Sequence, residues 1–335
     1  MARRHFVNAP EAIVLEALEG FERAQAGRVR WNREPSYIVR ADMGRPDKVG
    51  IVSGGGSGHE PLHIGFVGHG MLDVAVPGPV FTSPSSLQVA AGTIAADRGC
   101  GVLQIVKNYT GDVLNFNLGA ELARESGAQV ETVIVDDDLA TSADDEGGPG
   151  RRGTTGAVVA EKVCGAAAEL GMELPSIAAL GRRVVSQTRS LSLALEACSR
   201  PGQKAAGFEI PSELVEFGVG IHGERGTERR PFGSAQELVA SLTSPVVAEM
   251  GVGRGDAVLA IVNGLGATPL LELSVAYKEL SSLLDDAGVK IARSLVGSFV
   301  TSLDMSGISV TISLVDEQIV DLWDARVMTY ALSWG

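Results

Sequence analysis

The chain has 335 residues, 45% of them hydrophobic and 21% charged, with a mean hydropathy of +0.17; this excludes a disordered or fibrous chain and predicts about two domains. Twenty-eight basic against 41 acidic side chains leave a net charge of −13, so the overall field draws in neither nucleic acid nor an anionic membrane. Cys100, Cys164 and Cys198 are odd in number, far apart and without a C-x-x-C spacing, which implies neither a disulfide framework nor a zinc knuckle and fits a reducing compartment.

The first twenty residues hold no apolar run of signal-peptide length. No run of about 18 apolar residues follows anywhere, so the chain is expected to be soluble and cytoplasmic. From residue 49 apolar strand-like runs alternate with helical spacing. Residues 49–53 end in a glycine-rich loop, and the segment after Pro61 has helical character. Residues 71–76 form the next strand, closed by Pro77-Gly78-Pro79. Helical spacing over 85–97, a strand at 101–106, a helix over 113–126 and a strand at 130–135 follow. Such alternation predicts βαβ units on a parallel sheet. The polar stretch 139–153 is expected to be a surface loop. Helices over 156–171 and 175–187 precede a second α/β unit, with strands near 191–197, 215–221, 257–263, 289–296 and 308–315. Helices over 234–243 and 269–286 lie between them. The division is expected near 187, giving domains 1–187 and 188–335.

Four constellations could carry chemistry. The first is Ser53-Gly54-Gly55-Gly56-Ser57-Gly58-His59-Glu60-Pro61, directly after a strand, where ligands bind in open α/β sheets. Successive glycines let backbone N–H groups approach a ligand closely, and the position favours a ligand loop over a plain turn. No Lys follows, so it is not a Walker A loop. The same segment matches H-E-x-x-H at His59 and His63, but Pro61 is tolerated only in a helix's first turn, which removes His59 from the helix body that a zinc protease needs. His63 is expected to be a supporting or packing residue, and no metal site is expected.

The second is Lys107-Asn108-Tyr109-Thr110-Gly111-Asp112 at a strand end. Lys107 and Asp112 can point into one crevice, one positioning a ligand and one taking a proton; equally, Thr110 or Asp112 can be an ordinary helix cap. The third, Gly218-Val219-Gly220-Ile221-His222-Gly223, satisfies G-x-G-x-x-G, yet a charged, turn-rich stretch follows where a dinucleotide fingerprint needs a helix. What remains is His222, sterically open between glycines: either structural or a nucleophile or acid–base group. The fourth, Asn263-Gly264-Leu265-Gly266-Ala267-Thr268-Pro269, reads as strand, loop and helix start, without chemistry.

Together with FTSP (81–84), GRRG (150–153), RRPF (229–232), LGATPL (265–270) and TSLDM (301–305), these segments resemble, in order, the substrate-binding subunit family of dihydroxyacetone kinases, from about residue 35 onward. The resemblance implies two α/β domains, an N-terminal three-layer one on a parallel sheet and a C-terminal one with a mixed sheet, paired as a homodimer. It implies that His222 holds dihydroxyacetone or a similar short ketose as a covalent hemiaminal. By the same carry-over, Gly56, Ser57, Gly58 and His59 form the substrate loop, with His59 assisting catalysis. Lys107 contacts substrate, and Asp112 activates the hydroxyl to be phosphorylated. This chain is implied to hold no cofactor; ATP or ADP with magnesium sits on a separate helical kinase subunit, in one version recharged by a phosphotransferase-system donor. Arg225, Pro79, Arg326 and the Asp144-Asp145-Glu146 run depart from the family pattern, and Arg225 beside His222 opens the alternative of a C4 ketose such as erythrulose. A further alternative is a ketone-sensing coactivator paralogue without kinase activity, which needs only His222.

Overall fold

The computed structural model describes residues 4–141, 150–203 and 207–335. The elements begin with α1 (Ile13–Ala24), β1 (Val29–Asn32), β2 (Tyr37–Arg40), β3 (Gly50–Ser57), β4 (Val74–Val80), α2 (Ser86–Ala96), β5 (Val102–Lys107), α3 (Thr110–Glu125) and β6 (Val130–Val135). Helices α4 (Gly156–Glu169) and α5 (Leu174–Ser186) follow, then β7 (Thr188–Glu196), β8 (Leu214–Phe217), β9 (Glu228–Pro231) and α6 (Ala235–Met250). The chain continues through β10 (Ala257–Gly264), α7 (Leu270–Asp286), β11 (Lys290–Gly297) and β12 (Ser306–Leu314), and closes with α8 (Glu317–Asp324), β13 (Val327–Met328) and β14 (Ser333–Trp334).

Two compact units share these elements. One comprises Val7–Val135, Ala157–Arg183 and Asp321–Gly335; the other takes Asp136–Gly156 and Val184–Val320 with the residues up to Phe6. The single cut expected at 187 is thus corrected to a division with several crossings. The tail returns to the first unit because local packing holds it there. The Lys162 ammonium of α4 donates to Leu322 O at 2.6 Å, the Trp323 and Trp334 rings pack 5.7 Å apart, and Met328 bridges to His69.

The first unit's sheet runs β1-β2-β4-β3-β5-β6. The β4-β3-β5-β6 part is parallel, as the alternation predicts. The β1–β2 hairpin, which the alternation does not reveal, adds an antiparallel edge beside β4. Side-chain parity sorts the helices into layers, since successive residues of a strand face opposite ways. Val52, Val74, Val76, Val102 and Val106 pack with Val89 of α2 and Phe116 of α3. On the opposite face, Gly181 of α5 has no room for a side chain between Cys164 of α4 and Val133 of β6. Three layers result.

The glycines expected in a loop after residue 53 lie inside β3, whose eight residues are all buried. A Cβ on Gly54 would overlap Val76 O and one on Gly56 would meet Thr82 N, so glycine is required by the close approach of neighbouring backbone. After Pro61 the expected helix is absent. The chain turns, with Gly65 N–H donating to Pro61 O at 2.7 Å, and makes only the short 3-10 helix Ile64–Phe66.

The second unit's sheet runs β11-β10-β12-β7-β8-β9, with β10–β11 parallel and the other pairs antiparallel, a mixed sheet as the resemblance implies. Helices α6 and α7 cover it through Val239, Leu242, Leu273 and Leu280, against Leu193 and Val310. A Ser234–Glu237 capping box opens α6 and Gly251, at φ +62°, closes it. No helix among the described residues is long and apolar enough to cross a membrane.

Candidate active site

The strand order places a switch point in the first unit. From β3 the chain goes on to β4 on one side, and from β5 to β6 on the other, which opens a crevice at the carboxyl ends of β3 and β5 where open α/β sheets take ligands. The two strands pair only as far as Ser53 with Ile105. Beyond that, Lys107, the last residue of β5, sends its side chain across: Nζ lies 3.2 Å from Gly54 O, 2.8 Å from His63 Nε2 and 3.5 Å from Asp112 Oδ2. Lys107 is 0% and Asp112 3% exposed, so this ion pair sits where water barely screens it.

Geometry removes the reading of Asp112 as a helix cap. The N-cap of α3 is Tyr109 and makes no side-chain cap hydrogen bond; neither Thr110 nor Asp112 serves as cap. Asp112 instead turns Oδ2 toward Lys107, while its buried Oδ1 has no hydrogen-bond partner among the described residues. A buried carboxylate oxygen left open costs free energy.

The FTSP turn closes over the glycines. Phe81 N–H donates to Ser57 O at 2.9 Å, and Ser57 Oγ donates to Gly78 O at 2.7 Å. Phe81 adopts φ +55°, a left-handed conformation that costs a non-glycine residue about 1–2 kcal/mol. That backbone lays its ring on the buried His59 imidazole, with centroids 5.1 Å apart and planes at 19°. Gly58, at φ +102°, donates its N–H to the Glu60 carboxylate at 2.9 Å. Gly56, Ser57, Gly58, His59, Lys107 and Asp112 therefore belong to one unit and to adjoining loops.

The zinc-protease pattern fails on the same geometry. His59 and His63 lie in a turn, and His63 spends Nδ1 on Glu161 Oε1 (2.6 Å) and Ser53 Oγ (3.0 Å) and Nε2 on Lys107. His63 is thus an interior supporting residue. Glu161 is the residue that sequence reading passes over, although a Glu-Lys pair inside the alanine- and valine-rich run of α4 is a visible anomaly.

His222 belongs to the other unit. Strand β8 stops at Phe217 rather than near 221, because Gly218 turns at φ +73° and Thr227 N–H returns to Phe217 O at 2.9 Å. Residues 218–227 are consequently the loop of the β8–β9 hairpin, with His222 partly exposed in its middle. Charged side chains hold this loop. His222 N–H donates to Glu224 Oε2 (2.7 Å), and Arg200 Nη2 donates to His222 O (2.9 Å). Arg152 Nη1 donates to Glu224 Oε1 (3.0 Å), Nε to Asp138 Oδ2 (2.8 Å) and Nη2 to Gly218 O (3.1 Å). The expected surface loop is corrected at this end, where Arg152 is 9% exposed; residues 142–149, with the Asp144-Asp145-Glu146 run, lie outside the described residues. Arg225 holds its guanidinium carbon 5.9 Å from the Phe208 ring centroid.

Burial lifts the Asp138 carboxyl to about 6, with Arg152 pulling the other way. An acid whose folded value is raised loses stability as pH climbs from its unfolded range through the folded one. Arg152→Met removes the cation that offsets this, and the expected loss is about 3 kcal/mol, read by denaturant unfolding at pH 8. The deficit should shrink at pH 5, where Asp138 takes up a proton; a pH-independent deficit would assign the loss to packing alone.

A switch-point crevice with a buried Lys–Asp pair, and a hairpin loop presenting a histidine, define a two-unit α/β protein of the kind that binds small polar ligands. The chain belongs to the Dak1 domain family, which matches residues 19–331. It is 41% identical, over 99% of both chains, to a protein of Escherichia coli (strain K12) named PEP-dependent dihydroxyacetone kinase, dihydroxyacetone-binding subunit DhaK. Among solved structures it is similar to the native form of the dihydroxyacetone kinase of C. freundii (TM-score 0.88, 34% identity, 98% of this chain and 60% of that one). It is also similar to the dihydroxyacetone kinase operon co-activator Dha-DhaQ (TM-score 0.89, 32% identity, 94% of this chain and 97% of that one).

Proposed function

We propose that this chain is the dihydroxyacetone-binding subunit of a dihydroxyacetone kinase. The observation that carries the reading is the buried Asp112 carboxylate, whose Oδ1 no donor among the described residues claims and which Lys107 faces at Oδ2. A carboxylate so placed can accept the proton of a substrate hydroxyl as that oxygen attacks a phosphoryl group. Lys107 donates to the ligand's oxygens, and Gly56, Ser57 and Gly58 supply backbone contacts along the loop that ends in His59.

In this reading His222 captures the ketone. The lone pair of one ring nitrogen forms the N–C bond as the C=O π bond opens, and the proton of the other ring nitrogen ends on the new hydroxyl, so no atom leaves. Glycerol has no carbonyl and cannot make that bond, which gives a selectivity that shape alone does not supply for so small a ligand. The phosphoryl group comes from ATP or ADP with magnesium on a separate helical subunit, recharged in one version by a phosphotransferase-system donor. The chain acts as a cytoplasmic homodimer. The names of the full-length relatives support the ketone as ligand and a phosphotransferase-linked donor, and the order of the motifs supports the choice of site residues.

The similarity to a co-activator keeps a second reading open, a ketone sensor that transfers no phosphate. Retention of His59 and Asp112 favours the kinase. The deciding experiment is a coupled assay with a helical kinase subunit on dihydroxyacetone, both erythrulose enantiomers and glycerol. Turnover on dihydroxyacetone supports the kinase; tight binding with no turnover by any partner would make the chain a sensor, and preference for erythrulose would move the substrate to a C4 ketose.

A further inference from the structure

The Lys107 ammonium has three N–H donors; Gly54 O (3.2 Å) and His63 Nε2 (2.8 Å) take two of them, which leaves one, with Asp112 Oδ2 facing the ammonium as an ion pair at 3.5 Å. An imidazole nitrogen that accepts cannot carry a proton, so the single ring proton of neutral His63 sits on Nδ1, where Glu161 Oε1 lies at 2.6 Å. All the members are interior: Lys107 and Glu161 are 0% exposed and His63 4%. Ser53 Oγ donates to Ile105 O at 2.7 Å, so toward His63 it can only accept, and it reinforces the same tautomer.

We propose that His63 and Glu161 are positioning residues for Lys107, a Glu161–His63–Lys107 chain that holds one N–H of the ammonium and so fixes where its remaining donor points. The proposal rests on the reading of Lys107 as a substrate contact. An ammonium on a flexible four-carbon stem needs such a hold, because each rotamer it could otherwise adopt would withdraw the donor from the crevice. Neither residue reaches the ligand in this scheme; both act through Lys107.

The chain also carries a titration. Burial raises Glu161 to about 8, while burial first and then the charge of Lys107 hold His63 well below its ordinary value, so His63 stays neutral. The groups facing this chain are Lys107 from β5, His59 from the glycine loop, Asp112 from α3 and, on Glu161's own helix, the Cys164 thiol, itself pushed up to about 12. Above about 8 Glu161 is ionised, the Nδ1–H bond is charge-assisted, and Nε2 becomes a better acceptor for Lys107. Below it Glu161 is a neutral acid, which Glu161→Gln imitates.

The test is the ratio of kcat/KM for parent and Glu161→Gln on dihydroxyacetone, across pH 6.5–9.5 with the partner subunit saturating, so that the partner's own pH dependence cancels. The two should coincide at the acid end and separate by about tenfold at the alkaline end, the size of one charge-assisted hydrogen bond weakened to a neutral one. A ratio that does not change with pH would overturn the proposal. Nitrogen NMR of the histidine-labelled parent gives a second reading independent of the variant's folding: His63 should carry its proton on Nδ1, and a proton on Nε2 would overturn it. Lys107→Ala separates the two levels. If it loses activity while the Glu161→Gln ratio stays flat, the positioning chain alone is wrong; if it leaves kcat/KM unchanged, Lys107 is no substrate contact and both readings fall.

Discussion

Asp112→Asn should still bind the ketone and lose about 10²–10⁴ in kcat, the usual worth of general-base assistance. Asparagine preserves the size of the side chain and keeps one oxygen to face Lys107, which in any case retains Gly54 O and His63 Nε2 as acceptors. What disappears is the basic carboxylate. Because Asp112 caps nothing, the substitution should not unravel the first turn of α3, and unfolding measured alongside should confirm a folded variant. Adduct formation at His222, followed by mass analysis, should persist. Turnover close to that of the parent with the partner subunit saturating would remove Asp112 as the base. Comparable losses in binding and turnover would make it a binding group instead.

Most of the scaffold was legible in the sequence because its signals are local. Runs such as 101–106 and 130–135 are long enough, and β-branched enough, to be buried strands by themselves, and both are strands within a residue of those limits. The β1–β2 hairpin and the β9 strand were not legible, since four residues are too few to establish a period, and Glu228–Pro231, with three of its four residues charged, carries no apolar alternation and exists only through pairing. The site followed the same rule. Lys107 and the glycine segment stand toward strand ends and announce themselves, but spacing could not say whether Asp112 is a helix cap, and Tyr109 stands at the N-cap instead. Glu161 is separated from His63 by 98 positions. Only the tertiary approach of α4 to the turn after β3 brings that pair together, so no spacing rule could have found it.

His222→Ala should abolish the covalent adduct and with it the selection against glycerol. The residue is partly exposed in a hairpin loop between Gly220 and Gly223. The contacts that hold the loop run to its backbone, through Glu224 to the N–H and Arg200 to the carbonyl, so alanine leaves them in place and the fold should lose less than about 1 kcal/mol. Incubation of the parent with dihydroxyacetone, followed by gentle mass analysis, should show one ketone per chain, located at His222 by fragmentation. Occupancy should fall as acid protonates the ring, because an imidazolium has no lone pair to offer the carbonyl. Glycerol should give no adduct at any pH. The control is Arg152→Met, which leaves the imidazole intact but removes the cation bridging Asp138 and Glu224; it should lower occupancy through a looser loop without abolishing it. If His222→Ala bound dihydroxyacetone as tightly as the parent and rejected glycerol as well, covalent capture would be wrong for this chain. Membership of the family would then guarantee the fold and the Lys107–Asp112 crevice, but not the way in which the substrate is chosen.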